Sequence, residues 1–461
     1  WPEAGVANPD TLIEGNFSTF LYTGNAAART ITNNINLSGK GGLVWTKKRN
    51  DTAPNTLVDT ERGTGKYLEA NGTGQEQTGT NNVTGFTSTG YTIGATAGAF
   101  NDNNDTYVSW TFKKAPKFFD IVKFTGTGSA RTVAHNLGSV PGMMIVKLTS
   151  GSDGYHVYHR KLNGGSSPED YYLTFNTDTE TDNASIWNDT APTDSVFTVG
   201  TNGGVNGDGE SYVAYLFAHE TGDDSMIQCG NYTGNGSTTG PVIDLGFEPQ
   251  FLMIKNATDT GTNWIVFDSM RDLAVGQALD GLRWDTNGDE SEFSAGIDLN
   301  ASGFQVKANY SQLNKNNSNY IYMAIRRPNM ATITDATEVF AMDSDGSALV
   351  NGVALTSGFP VDMVFHKELT GTDAGQIASR LQGNGKYLQT SSTAAEASGV
   401  TYGTFDHNDG FFSTPVANMA WMWKRAKGFF DVVCYTAAGV SRTVAHGLGV
   451  VPEMIWVKRR S

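Results

Sequence analysis

Short runs of residues along this chain place large apolar side chains at alternate positions, as in Tyr212, Val213, Ala214, Tyr215, Leu216 and Phe217. A period of two predicts half-buried β-strands rather than helices. Related aromatic runs stand at "TYVSWTF" (106–112), "NYIYMAI" (319–325) and "NMAWMWK" (418–424). Polar clusters such as "NDNND" (101–105), "NGGVNGDG" (202–209) and "NKNNSN" (314–319) separate the strands and predict tight turns. The best helix candidate is "DSMRDLAVGQALDGL" (268–282).

A second apolar run returns in step with the first. "LGSVPGMMIVK" (137–147) aligns with "LGFEPQFLMIK" (245–255) and "LGVVPEMIWVK" (448–458), and more weakly with "TSGFPVDMVFHK" (356–367) and "LSGKGGLVWTK" (37–47). Each copy ends on a lysine: Lys47, Lys147, Lys255, Lys367 and Lys458. Five recurrences in the same order mean tandem duplication. The chain thus reads as all-β, a tandem array of about four β-sandwich (jelly-roll or lectin-like) modules of about 100 residues, the size of one sandwich. The expected boundaries are a lead segment 1–16, modules at 17–117, 118–221, 222–333 and 334–427, and a partial fifth at 428–461. Brief links with bulky residues, such as "FKKAPKFFD" (112–120), predict modules stacked at fixed angles into a rod. The last strand of the fifth module is expected to pair with further chain or with another chain.

Composition narrows the function. A net charge of −15 and no basic stripe argue against nucleic-acid binding. No apolar run reaches the ~18 residues of a membrane helix, so no membrane insertion is expected. Cys229 and Cys434 are too few for a disulfide framework and read as buried thiols.

Candidate chemistry is thin. His135 and His446 recur, but sister modules carry Ile35, Ile243 and Ala354 there, which marks a packing position. His156 and His159, three apart on a strand, face opposite ways and cannot share a metal. "GTGKYL" (63–68) and "GNGKYL" (383–388) lack the Ser/Thr and the helix of a phosphate loop. Asp285, Asn287 and Asp289 make an oxygen-rich loop, the best place for a structural Ca2+, although it departs from the EF-hand pattern and Asx turns also explain it. Tyr171, Tyr172 and Trp187 are the aromatic candidates for a glycan- or protein-binding surface, with core packing as the competing reading. The five lysines, and Arg62 and Arg271 three residues after Asp59 and Asp268, read as recurring structural ion pairs. No nucleophile elbow or zinc helix occurs, no cofactor is implied, and no carboxylate pair is nominated for glycoside hydrolysis.

The phrases "FFDIVKFTGTGSARTVAHNLGSVPGMMIVK" (118–147), "SIWNDTAPTDSVFTVG" (185–200), "SYVAYLFAHE" (211–220) and "GNGSTTGPVIDLGFEPQFLMIKNATDTGTNWIVFDSMR" (234–271) resemble repeat-bearing structural proteins of marine bacteriophages, of the cyanophage-like tail-fibre or virion-appendage kind. The resemblance implies a non-enzymatic virion component acting in assembly or host attachment. Its implied partners are further copies of the chain, as a homotrimer, together with other virion proteins and a host cell-surface glycan or protein receptor. Two other readings are a polysaccharide-degrading fibre and a secreted bacterial adhesin or surface-layer protein.

Overall fold

The computed structural model describes residues 11–95, 98–176, 178–293, 296–328, 331–344, 353–369, 372, 374–399, 403–413 and 418–461. Residues 1–10 of the expected lead segment lie outside these. Local chemistry sets the strand starts. Gly138, Gly246 and Gly449 hold φ of +67°, +71° and +72°, a region natural to glycine, and turn the chain toward the following proline. Pro141 and Pro249 are then the first residues of strands Pro141–Leu148 and Pro249–Asn256, where a missing N–H costs the ladder little.

Four modules repeat one plan, all β as expected. In module one a six-stranded antiparallel sheet runs, in spatial order, Phe17–Thr23, Thr106–Lys113, Gly42–Lys48, Thr56–Asp59, Lys66–Glu69 and Gln77–Thr78. A smaller sheet, Arg29–Thr32, Gly90–Ile93 and Val83–Thr87, covers one of its faces. Modules two, three and four repeat the six-stranded order, with central strands Pro141–Leu148, Pro249–Asn256 and Met363–Glu368. Their closing strands are Ser211–Ala218, Asn319–Arg326 and Asn418–Trp423. Register is equally faithful: Trp45 faces Trp110, Ile145 faces Tyr215, Met253 faces Met323, and Phe365 faces Trp421.

Three expectations need correction. The stretch 268–282 is no helix; it is the end of strand Ile265–Asp268, a turn, and most of strand Leu279–Arg283. Its Gly276, at φ +75°, is ill suited to a helix interior. The central and closing strands of modules one to three are not half-buried either. Every residue of Gly42–Lys48 and Pro141–Leu148 is buried, and Tyr212–Ala218 likewise. One face of each sheet fills its own sandwich, as Val44, Val58 and Tyr107 do with Ile31 and Tyr91. In modules one to three the other face joins a second core shared between modules, which collects Trp45, Trp110, Ile145, Tyr215, Phe251, Met253, Trp264 and Trp284.

That shared core also replaces the expected serial stacking. Modules one and three touch directly: the rings of Trp45 and Trp284 stack 3.6 Å apart, and Trp110 packs edge-on to Phe251 at 6.1 Å. Modules one, two and three therefore close on one another around a common hub, with a pseudo-threefold relation. Module four sits on this ring. Arg425 grips Glu248 of module three through two 2.9 Å bonds, and Asn408 bonds both backbone groups of Leu21 in module one.

Candidate functional site

The repeated lysine is where the modules join. In module one Lys47 lies at the end of the central strand, with its ammonium donating to Ala53 O of its own hairpin (2.8 Å) and to Asn287 O of module three (3.2 Å). Lys147 of module two donates to Asp153 O (2.6 Å) and to Thr73 O of module one (3.0 Å). Lys255 of module three donates to Thr262 O and to Asn176 O of module two (3.2 Å). In every case one carbonyl is the module's own and one is a neighbour's.

A reciprocal main-chain bond accompanies each lysine. The N–H of Glu76 donates to Thr149 O (3.0 Å), that of Glu180 to Ala257 O (2.8 Å), and that of Glu290 to Arg49 O (2.8 Å). Each acceptor lies two residues beyond the lysine. The result is a two-way clasp in which module two holds one, three holds two, and one holds three. Three such clasps close the ring.

The expected lysine–carboxylate pairs are thus replaced by lysine–carbonyl contacts. A carbonyl carries only a partial charge, so burial dominates. It draws Lys47, Lys147 and Lys255 down from 10.5 to about 8. Lys147→Met is expected to leave Asp153 O without a donor, while Thr73 O keeps the Asp153 N–H (2.8 Å). Partly offset by relief of the desolvated ammonium, the net loss is about 1–2 kcal/mol. Hydrogen exchange at residues 73–76 should quicken at least tenfold, against no change for the exposed Lys40→Met.

Closer to the hub, a polar contact from the neighbour's closing strand marks each junction. Asp59 accepts from Arg62 Nε (2.6 Å) and from the hydroxyl of Tyr215 in module two (2.8 Å). Asp268 accepts from Arg271 Nε (2.8 Å) and from the indole N–H of Trp110 in module one (2.9 Å). These two Asp–Arg pairs are the ion pairs expected from the sequence. At the matching place in module two stands His159. Lys161 N–H donates to its Nδ1 (3.2 Å), so Nε2 carries the proton and donates to Tyr322 O of module three (3.1 Å).

Burial and the nearby Arg160, His219 and Lys161 charges lower His159 from 6.5 to about 3. The unfolded chain therefore binds a proton below pH 6.5 that the folded chain refuses, and stability falls as pH drops through that value. Between pH 6.5 and 4.5 the loss from this residue is on the order of 2–3 kcal/mol. Asp272, raised to about 7 chiefly by burial and then by Asp406, works in the opposite sense over the same window. Comparing urea midpoints of wild type and His159→Gln at pH 7.5 and 5 isolates the histidine: the variant should show the shallower acid loss.

The other residues singled out in the sequence serve the same architecture. Trp187 is buried on the short helix Ala184–Trp187, and its indole N–H donates to Tyr171 O at 3.1 Å. Tyr171 and Tyr172 are half-buried against the shared core, Tyr172 lying on His156 with ring centroids 5.5 Å apart. The three do not form an exposed aromatic platform. Asp285 accepts from Trp264 N–H (3.2 Å) and Asn263 (3.1 Å), while Asn287 offers its carbonyl to Lys47 and to Ala53 N–H (2.9 Å). Asp289 acts on Lys47 through charge alone. Among the described residues no group of three or more His, Cys, Asp or Glu is placed to hold a metal ion, and no helix is long and apolar enough to cross a membrane.

Sequence reasoning missed the acceptor segments at 73–76, 176 with 178–180, 287–290 and 392–396. Their one visible mark is a glutamate that returns at 76, 180, 290 and 396, just ahead of a very short strand.

No curated protein matches this chain. A family model covers residues 14–328 and 338–461, nearly its whole length, and the chain therefore belongs to the family described as "Domain of unknown function (DUF7483)".

Proposed function

We propose that this protein is a structural component of a bacteriophage particle, a tail fibre or related appendage that meets the host surface by repeated non-catalytic contacts. The ring carries the proposal. Three sandwich modules joined by two-way clasps and a common aromatic core make a stiff body, which suits a load-bearing projection better than an enzyme needing a hinged cleft. Weak contacts repeated on such a body gain strength by multivalency. In this reading the partners are other virion proteins and a host glycan or protein receptor, and the protein resides in the virion. A homotrimer remains the proposed assembly.

Mass spectrometry of purified particles, with cryo-electron microscopy of their appendages, tests the reading. Density for the three-module ring in a projecting fibre supports it and counts the copies. A chain absent from particles but abundant in the host envelope or medium overturns it in favour of a bacterial surface protein.

A further inference from the structure

Modules four and five repeat the junction between modules one and two. Lys458 donates to Ser392 O, as Lys147 does to Thr73 O, and Glu396 N–H donates to Arg460 O (2.7 Å), as Glu76 does to Thr149. Residues 428–461 follow the path of 117–150 without its sheet partners. Gly428 N–H reaches Leu448 O (2.8 Å) as Lys117 N–H reaches Leu137 O (2.7 Å), and Gly447 N–H reaches Asp431 (2.6 Å) as Asn136 N–H reaches Asp120 (2.7 Å).

In the first ring, a third module covers the first two. Trp45 and Trp110 are then fully buried, and the Lys47–Arg49 stretch receives the loop 287–290. The same positions in module four are Phe365, Trp421 and Lys367–Leu369. Phe365 and Trp421 stack at 5.2 Å but stay half-exposed, and Leu369 is 55% exposed. Trp456 of module five, the counterpart of Trp45, is 69% exposed, beside Val451, Met454, Ile455 and Val457.

We infer that this face is the receiving half of a second ring, and that its occupant is one further module of this same repeat. The chemistry of that module follows from module three. It brings a loop carbonyl toward Lys367 and a glutamate N–H toward Leu369 O. A carboxylate stands ready for the indole of Trp421, and an aromatic ring covers Phe365. A second copy of the described chain does not meet this need, because its acceptors Thr73, Asn176, Asn287 and Ser392 and its donors Glu76, Glu180, Glu290 and Glu396 are all engaged in its own clasps. The inference rests on this geometry and not on the virion reading.

The test lengthens the full chain by repeating residues 151–333 after Ser461, which completes module five and adds a copy of module three. Hydrogen exchange at 367–369 and 451–458 should slow at least tenfold relative to the unextended chain, and acrylamide quenching of Trp456 should fall several-fold. Glu290→Pro in the appended copy removes the N–H aimed at Leu369 O, so protection at 367–369 should drop while that at 451–458 persists. Unchanged exchange at 367–369 in the extended chain overturns the inference, whether or not the appended residues order. Protection of that stretch in the unextended chain by self-association at rising concentration overturns it equally.

Discussion

Asp268→Ala is expected to weaken the junction of modules one and three by about 3–5 kcal/mol, the usual cost of stranding one member of a buried ion pair. Arg271 is fully enclosed, and beyond Asp268 its charged partner is Glu290 (2.7 Å), which Arg49 of module one also holds (2.9 Å). Removing the carboxylate leaves Arg271 with Glu290 alone, an acid it shares with Arg49 (which also holds Asp406 of module four at 3.3 Å), and orphans the Trp110 indole N–H. It also frees Met270 N–H, which now donates to Asp268 Oδ1 at 3.1 Å. Asp268→Asn keeps an acceptor for the indole and should lose markedly less. Because a chain of several modules need not unfold in one step, local opening is the proper readout. Hydrogen exchange along Thr106–Lys113 should accelerate before that of module two. Equal rates in Asp268→Ala and wild type count against the role assigned to this network.

Trp284→Ala is expected to cost a similar amount, about 3–5 kcal/mol, by emptying the middle of the ring. This indole stacks on Trp45 and lies 5.9 Å from Trp110, both of module one, and 6.2 Å from Phe175 of module two. Few single side chains touch all three modules, so its loss should uncouple them. Calorimetry should show the ring's transition broaden or split, with Trp284→Phe recovering part of the cooperativity. A single sharp transition at the original midpoint means that the hub is not what couples the modules.

The duplication was legible because five lysine-ended apolar runs and four aromatic closing strands survive in order. The buried Asp59–Arg62 and Asp268–Arg271 pairs were legible too, since both partners are side chains at fixed spacing. The ring was harder to read. Its clasps use carbonyls and N–H groups, which every loop residue carries, so no side-chain spacing marks the partners of the lysines. One clue was on the page: Tyr212 to Phe217 is apolar at every position, the mark of a strand buried on both faces. Alternation of size obscured that continuity. Tyr171, Tyr172 and Trp187 illustrate the same limit, because aromatic composition does not say which side of a sheet meets solvent.

The clasp has a consequence for how such chains change over time. Loops reading "TGQE", "NTDTE", "NGDE" and "STAAE" all perform one task, because the lysine recognises their backbone and not their side chains. Drift at the other loop positions leaves the clasp intact as long as the lysine, the glutamate and the path of the loop persist. Recombination can therefore exchange one module for another with a new outer surface and still obtain a fitting part, which makes this architecture tolerant of shuffling.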